Sequence, residues 1–171
     1  MRHFPVMLFA AGLGARMGAL TRDRPKPLIE VAGATLLDRV LDHLSAAGVA
    51  NAVVNVHYFA EQIEAHLAGR HAPAVTVSNE RSLLLETGGG VVKALPLLDA
   101  DPFYVVNSDN LWIDGSVDTL RLLAQRWDAA TMDGLLLVVP LARAMGYDGR
   151  GDFHMDPLGA LRPRGEVRLA P

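Results

Sequence analysis

Short apolar runs alternate with amphipathic stretches along most of the chain. Residues 4–10 are apolar without interruption and lead into a glycine-rich turn, which predicts a strand covered on both faces. Residues 35–47 carry leucines and a valine at spacings of three and four, so one helical face is apolar, and Gly48 follows as a stop. The chain therefore opens with a strand, a polar loop and an amphipathic helix.

The same alternation predicts seven more elements, four strands and three helices, up to residue 141. The strands are expected at 51–57, 74–78, 103–107 and 135–141, and the helices at 60–68, 87–98 and 117–127. Helices that connect such strands imply parallel pairing with right-handed crossovers. The predicted class is α/β, a Rossmann-like three-layer α/β/α arrangement around a mostly parallel sheet, with residues 1–171 as one domain.

After Pro140 the chain becomes rich in glycine, proline and charge. Strand-like flanks surround residues 156–159, which read Asp-Pro-Leu-Gly and form a good turn sequence with proline in second place. We therefore expect a carboxyl-terminal hairpin, followed by the start of a further strand near Val167.

Composition narrows the class of protein. The chain has 171 residues, 50% of them hydrophobic, which suffices for one well-buried core. A net charge of −3 with both signs interspersed provides no broad basic field for nucleic acid or an anionic membrane. Cysteine is absent, so neither disulfides nor thiolate metal ligands are available. No signal peptide or membrane-length apolar run is recognisable, and the expected location is cytoplasmic.

The turn after the first strand carries the candidate chemistry. Gly12 and Gly14 allow backbone N–H groups to approach phosphate oxygens, and Arg16 follows two residues later. Met17 occupies the place of the third glycine in a dinucleotide fingerprint, and a P-loop Gly-Lys-Ser/Thr is absent. Lys26 lies between two prolines that restrict its backbone. Each residue alone fits a plain turn or a surface cation, but together they suit a polyphosphate.

Three ordered segments resemble the sugar-1-phosphate nucleotidylyltransferases. The first, residues 9–28, reads FAAGLGARMGALTRDRPKPL and is similar to the family pattern AxGxGTRMxPLT followed by PKPL, with Ala15 in place of the usual threonine. The second, residues 84–98, reads LLETGGGVVKALPLL and resembles the nucleotide-site helix of the N-acetylmuramate-1-phosphate uridylyltransferase branch. The third, residues 103–112, reads FYVVNSDNLW and resembles the family's strand that ends in a metal-binding aspartate.

This resemblance implies a glycosyltransferase-A-like fold and a Mg²⁺-dependent reaction between a nucleoside triphosphate and a sugar 1-phosphate. By that resemblance Arg16 would bind the β and γ phosphates, Lys26 would stabilise the α-phosphate region, and Asp109 would hold Mg²⁺. The implied nucleotide-binding residues are Ala11, Gly12, Gly14, Glu86, Thr87 and Gly88. Gly151 and Asp152 are the implied contacts to the sugar phosphate.

Several alternatives stay open on sequence alone. UTP with N-acetylmuramate 1-phosphate is the favoured pair, mannose-1-phosphate guanylyltransferase is the runner-up, and molybdenum-cofactor nucleotidyltransferases share the glycine-rich start. Glu86 fits a contact to base or ribose, or a plain helix cap. The family pattern continues past residue 171 to a second metal-binding aspartate, so we expect a carboxyl-terminally truncated chain, or one whose missing part another chain supplies. It is then either an active enzyme or a nucleotide-binding but catalytically weak fragment or subunit, and a homo-oligomer is an open alternative. Asp114, Asp118 and the six histidines show no metal-ligand spacing.

Overall fold

The computed structural model describes residues 4–144 and 147–165, which belong to two compact units. The first unit ends at Asp133, and the second begins at Gly134. Within the described residues no helix is both long and apolar enough to cross a membrane.

The first unit is an α/β unit. In chain order its strands and helices are β1 (Val6–Phe9), β2 (Glu30–Val31), β3 (Ala34–Thr35), α1 (Leu36–Ala46), β4 (Asn51–Val56), α2 (Ala60–Leu67), β5 (Ala74–Asn79), α3 (Glu86–Leu98), β6 (Tyr104–Asn107) and α4 (Thr119–Arg126). Two 3₁₀ segments, Ala15–Thr21 and Lys26–Leu28, lie between β1 and β2. Each predicted element in this unit is found, with ends shifted by at most two residues.

Four of these strands form a parallel sheet in the order β5-β4-β1-β6. On one face, Leu8 of β1 joins a core built with α1, α2 and α4, which contribute residues such as Leu41, Ile63 and Leu120. On the other face, Met7 packs with Ala94 of α3. Because successive residues of a strand point to opposite faces, β1 is apolar throughout. The predicted three-layer arrangement around a parallel sheet is confirmed.

Local signals explain where the helices begin. The Thr35 hydroxyl accepts a hydrogen bond from the Asp38 backbone N–H at 3.0 Å, so Thr35 caps α1. The Asp118 carboxylate accepts from the Arg121 backbone N–H at 2.8 Å and caps α4. This cap fixes the start of α4 at Thr119, two residues after the predicted start.

The strand predicted at 135–141 is wrong. The structure shows irregular backbone there, followed by a 3₁₀ turn at Leu141–Arg143 in the second unit. Leu136, Leu137 and Val139 are 50%, 57% and 61% exposed. The apolar run indicated a buried strand, but a strand also needs a neighbour that pairs with its backbone, and none of the described residues pairs with this run.

The predicted hairpin in the second unit is confirmed. Strands β7 (Phe153–Met155) and β8 (Leu161–Pro163) pair antiparallel. The Asp156 carboxylate accepts from two backbone N–H groups in the turn, those of Leu158 and Ala160, both at 2.9 Å. The strand expected near Val167 lies outside the described residues.

Candidate active site

A cleft of about 400 Å³ opens at the carboxyl end of the parallel sheet. Phe9 of β1 pairs in register with Asn107 of β6, so the loops that follow these two strands leave the sheet side by side. The cleft is lined by the glycine-rich turn, by Lys26 and its neighbour, by the start of α3 and by the residues after β6. Ligands of open α/β sheets bind at this kind of edge.

The glycine-rich turn is shaped by Gly14. Its φ of 65° lies in the left-handed region, and its carbonyl accepts from the Met17 N–H at 2.8 Å and from the Thr21 hydroxyl at 3.1 Å. A Cβ added to Gly14 would lie 2.8 Å from Thr21 Cγ2, so only glycine fits there. Gly12, in contrast, has no atom within 4 Å of an added Cβ, and the backbone there is open to a ligand.

Lys26 and Asp109 form an ion pair inside the cleft. The Lys26 ammonium donates a hydrogen bond to the Asp109 carboxylate, and both side chains are partly buried. Lys26 begins the 3₁₀ segment that ends at Leu28, and Asp109 lies two residues beyond the end of β6. The two elements thus place opposite charges together, where the cation and the carboxylate can each be presented to a phosphate or a metal ion.

Two further charged residues line the same cleft. Arg16 is exposed at the start of the 3₁₀ segment that follows Gly14. Glu86 is exposed at the first position of α3, where its φ is 57°. A non-glycine residue in this left-handed conformation is uncommon, and such strain is frequent at ligand sites.

The predicted site residues are only partly brought together. Those that line the cleft are Gly12, Gly14, Arg16, Lys26, Glu86 and Asp109. Ala11 is buried just behind it, whereas Thr87 and Gly88 are exposed in the first turn of α3 and do not line it. Gly151 and Asp152 belong to the second unit, where they directly precede β7.

Two polar residues behind the cleft are absent from the sequence prediction. Asn55 and Glu80 are 2% and 0% exposed. The Asn55 amide donates to the Glu80 carboxylate at 2.9 Å, and the Asn55 carbonyl oxygen accepts from the Ala10 N–H at 2.8 Å. The sequence offers a signal only for Asn55, which is a polar residue inside a largely apolar strand. No sequence signal points to Glu80.

A second cluster in the first unit shares no residue with the lining of the cleft. Ligand atoms of His43, Asp114 and Asp118 lie within 4.8 Å of one another, a convergence that the sequence spacing did not indicate. Asp114 contacts His43 at 2.7 Å and accepts from the Thr119 N–H at 3.0 Å. Burial tends to raise the pKa of Asp114, but the hydrogen bonds from Thr119 and the charge of His43 outweigh it and lower that pKa below its ordinary value.

The donor set around Asp109 fits Mg²⁺ in chemical type. Mg²⁺ prefers oxygen ligands and is usually bound by one or two carboxylates together with water and substrate phosphates. Asp109 offers a partly exposed carboxylate in a cleft that also contains the cations expected to bind phosphates. The side chain that could hold the ion is therefore Asp109.

Comparison with known proteins agrees with this architecture. The chain is 44% identical over 96% of its length to an N-acetylmuramate alpha-1-phosphate uridylyltransferase of Caulobacter vibrioides, and it covers 70% of that protein. It is 45% identical over 92% of its length to the protein of the same name from Neisseria meningitidis, covering 67% of it. A crystal structure of HddC from Yersinia pseudotuberculosis complexed with GMP-PN superposes with a TM-score of 0.56 and 29% identity, over 62% of this chain and 48% of that one.

The fold and the cleft define a nucleotidyltransferase of the glycosyltransferase-A-like fold class. More narrowly, the chain belongs to the MobA-like NTP transferase domain family, whose sequence pattern matches residues 6–144. The chain spans about two thirds of the length of the two curated relatives and about half of the solved structure.

Proposed function

We propose that the protein transfers a nucleotidyl group from a nucleoside triphosphate to a sugar 1-phosphate, releasing pyrophosphate. The observation that carries this proposal is the convergence of Arg16, Lys26 and Asp109 beside the glycine-rich turn in one cleft. We infer further that UTP and N-acetylmuramate 1-phosphate are the substrates, because the similarity to two uridylyltransferases extends over more than nine tenths of the chain.

In the proposed reaction a phosphate oxygen of the sugar 1-phosphate attacks the α-phosphorus of the triphosphate. The bond from the α-phosphorus to the α,β-bridging oxygen breaks, and pyrophosphate leaves with the electron pair. The nucleophile is already an anion, so no general base is needed. Catalysis then depends on alignment and on neutralising charge.

Each side chain has a distinct part in this scheme. The open backbone at Gly12 lets N–H groups approach phosphate oxygens. The Arg16 guanidinium binds the β and γ phosphates, and the Lys26 ammonium moves from Asp109 to the α-phosphate. Asp109 would hold Mg²⁺, which when bound neutralises charge on the triphosphate.

The alternatives retained from sequence have less support. The similarity to uridylyltransferases is longer and closer than the similarity to mannose-1-phosphate guanylyltransferases. Because the reaction needs a nucleoside triphosphate, we place it in the cytoplasm. Gly151 and Asp152 stay proposed contacts to the sugar phosphate, and homo-oligomer formation stays a proposal too. Nucleotide binding without turnover is the other outcome that a direct test must separate.

The test is calorimetric titration with UTP, GTP, CTP and dTTP in the presence and absence of Mg²⁺. Pyrophosphate release with N-acetylmuramate 1-phosphate and with mannose 1-phosphate is measured in parallel. Mg²⁺-dependent UTP binding with release from the first sugar supports the proposal, whereas binding without release favours a binding module. Absence of binding to every nucleotide would overturn the proposed function.

A further inference from the structure

A buried hydrogen-bond chain joins the two backbone segments that frame the cleft. The Asn55 carbonyl oxygen accepts from the N–H groups of Ala10 and Ala11, at 2.8 and 3.3 Å. The Asn55 amide donates to Glu80 Oε1 at 2.9 Å, and Glu80 Oε2 accepts from the Leu85 N–H at 3.2 Å. This hydrogen-bond chain thus begins where the glycine-rich turn starts and ends one residue before α3.

Glu80 is an unusual residue to find at this position. Its side chain is fully buried, and within residues 4–144 and 147–165 it forms no ion pair. Burial of a carboxylate without a cation is costly unless each oxygen accepts hydrogen bonds. Here both oxygens do so, and the donors are Asn55 and the backbone of Leu85.

Helix α3 packs directly on this pair. A Cβ added to Gly90 would lie 3.1 Å from Asn55 Nδ2 and 3.1 Å from Glu80 Oε1. Gly90 is itself buried. The third glycine of the run at 88–90 therefore serves close approach of the helix to the Asn55–Glu80 pair.

We propose that Asn55 and Glu80 are positioning residues that fix the glycine-rich turn and the start of α3 relative to each other for nucleotide binding. This inference rests on the proposed function, since the ligand it concerns is the nucleoside triphosphate. Ala10, at one end of the hydrogen-bond chain, lines the cleft. Glu86, which follows Leu85 at the other end, lines it too. A shift at either end changes the distance between the phosphate-binding turn and the helix start.

The donors and acceptors require one amide and one carboxylate at positions 55 and 80, and they fix the orientation of the amide. Asn55 must direct its oxygen to Ala10 and Ala11, so its NH₂ group meets Glu80. Glu80→Gln places a second NH₂ group against either that amide or the Leu85 N–H, and one hydrogen bond is lost in each case. Asn55→Asp instead places two carboxylates face to face.

The reciprocal pair Asn55→Asp with Glu80→Gln restores the chain. The aspartate at position 55 accepts from Ala10 and Ala11 with one oxygen and from the glutamine NH₂ with the other. The glutamine oxygen at position 80 then accepts from Leu85. All contacts are regained with the two functional groups exchanged, so a rescue reports the hydrogen-bond pattern itself.

The decisive measurement is the Kd for UTP of the wild type, the two single variants and the double variant. We expect a rise of about tenfold or more in each single variant, and recovery to within about threefold in the double variant. The KM for the sugar phosphate should change less than the KM for UTP. Asn79→Asp and Glu64→Gln are matched controls, because Asn79 is exposed, Glu64 is partly exposed, and neither side chain belongs to the Asn55–Glu80 hydrogen-bond chain. Both variants should leave the Kd unchanged.

Gly90→Ala supplies a second variant that removes no polar group. Its methyl group requires the pair to shift by a few tenths of an ångström, so UTP binding should weaken, and this test is available even if neither single variant folds. Amide hydrogen exchange at Ala10, Ala11 and Leu85 gives a readout that needs no nucleotide. Exchange should accelerate in each foldable single variant and return toward the wild-type rate in the double variant.

These outcomes separate the inference from the proposed function. Single variants with wild-type UTP affinity, or a double variant no better than the weaker single variant, would overturn the positioning role. If the wild type binds no nucleotide while exchange still shows loss and rescue, the linkage stands and the proposed function fails. If exchange is unchanged in the single variants, the linkage itself is wrong.

Discussion

The Lys26 ammonium and the Asp109 carboxylate form a hydrogen-bonded ion pair, although 83 positions separate them in the sequence. Their side chains are 28% and 32% exposed, so solvent and ligands can reach both. A pair with this exposure contributes little to stability, on the order of 1 kcal/mol or less. Its position in the cleft therefore fits binding and catalysis better than structural support.

Removing either charge should reduce turnover far more than stability. We expect Lys26→Met and Asp109→Asn to lower kcat by about a hundredfold or more, because Lys26 is assigned to neutralising charge at the α-phosphate and Asp109 to holding the Mg²⁺ that would neutralise charge on the triphosphate. Pyrophosphate release gives the rate, and urea unfolding gives the stability. Asp42→Asn is the matched control, since Asp42 is 70% exposed and pairs with Arg70 outside the cleft. Turnover that survives both substitutions would remove these residues from the mechanism.

The two glycines of the turn should respond differently to alanine. Gly14→Ala is expected to lower the free energy of unfolding by about 1–3 kcal/mol, because its φ is positive and Thr21 Cγ2 lies 2.8 Å from the added methyl group. Gly12→Ala meets no atom within 4 Å and should leave stability within about 0.5 kcal/mol while weakening nucleotide binding. Urea unfolding and UTP titration of both variants test this contrast. Equal stability losses would contradict the assignment.

The contacts of Asp114 should affect how the free energy of unfolding depends on pH in the acid range. The pKa of Asp114 in the folded protein is lower than its ordinary value of 3.8, so its contribution to stability is full above that value. This contribution is lost as pH falls through the lowered folded pKa. The free energy of unfolding should therefore decline below about pH 4, and less steeply in Asp114→Asn. Urea midpoints between about pH 5 and pH 2.5 measure it, with Asp42→Asn as the control.

The cap of α1 offers a test of local stability away from the cleft. Thr35→Ala removes the oxygen that accepts from the Asp38 N–H and the hydroxyl that donates to the Asp38 carboxylate at 2.7 Å. The expected cost is about 1 kcal/mol, measured by urea unfolding. Ser116→Ala, at an exposed position before α4, should cost much less. Nucleotide affinity should stay at the wild-type value in both variants.

Elements that depend on local signals could be predicted from sequence. Helix α1 has a periodic apolar face and a threonine cap, and β1 is a continuous apolar run, so both were predicted within two residues. The run at 135–141 misled the prediction because apolarity indicates burial but does not provide a pairing partner. Pairing is decided by residues far away in sequence.

The candidate site shows the same division. Motif spacing identified Gly12, Gly14, Arg16 and Lys26, the family resemblance implied Asp109, and the structure brings all five to one cleft. Their individual roles stay predictions. Asn55 and Glu80 could not be found from spacing, because their hydrogen-bond partners lie up to 45 positions away and only the folded sheet brings them together.

Because Gly90 packs closely on Asn55 and Glu80, substitutions at these three positions should be coupled in evolution. A larger residue at the position of Gly90 would crowd the amide and the carboxylate and require them to shift. Relatives with alanine or serine at the position of Gly90 should therefore carry compensating residues at the other two positions. Covariation among the three, rather than invariance of each, is the trace that this contact should leave in the family.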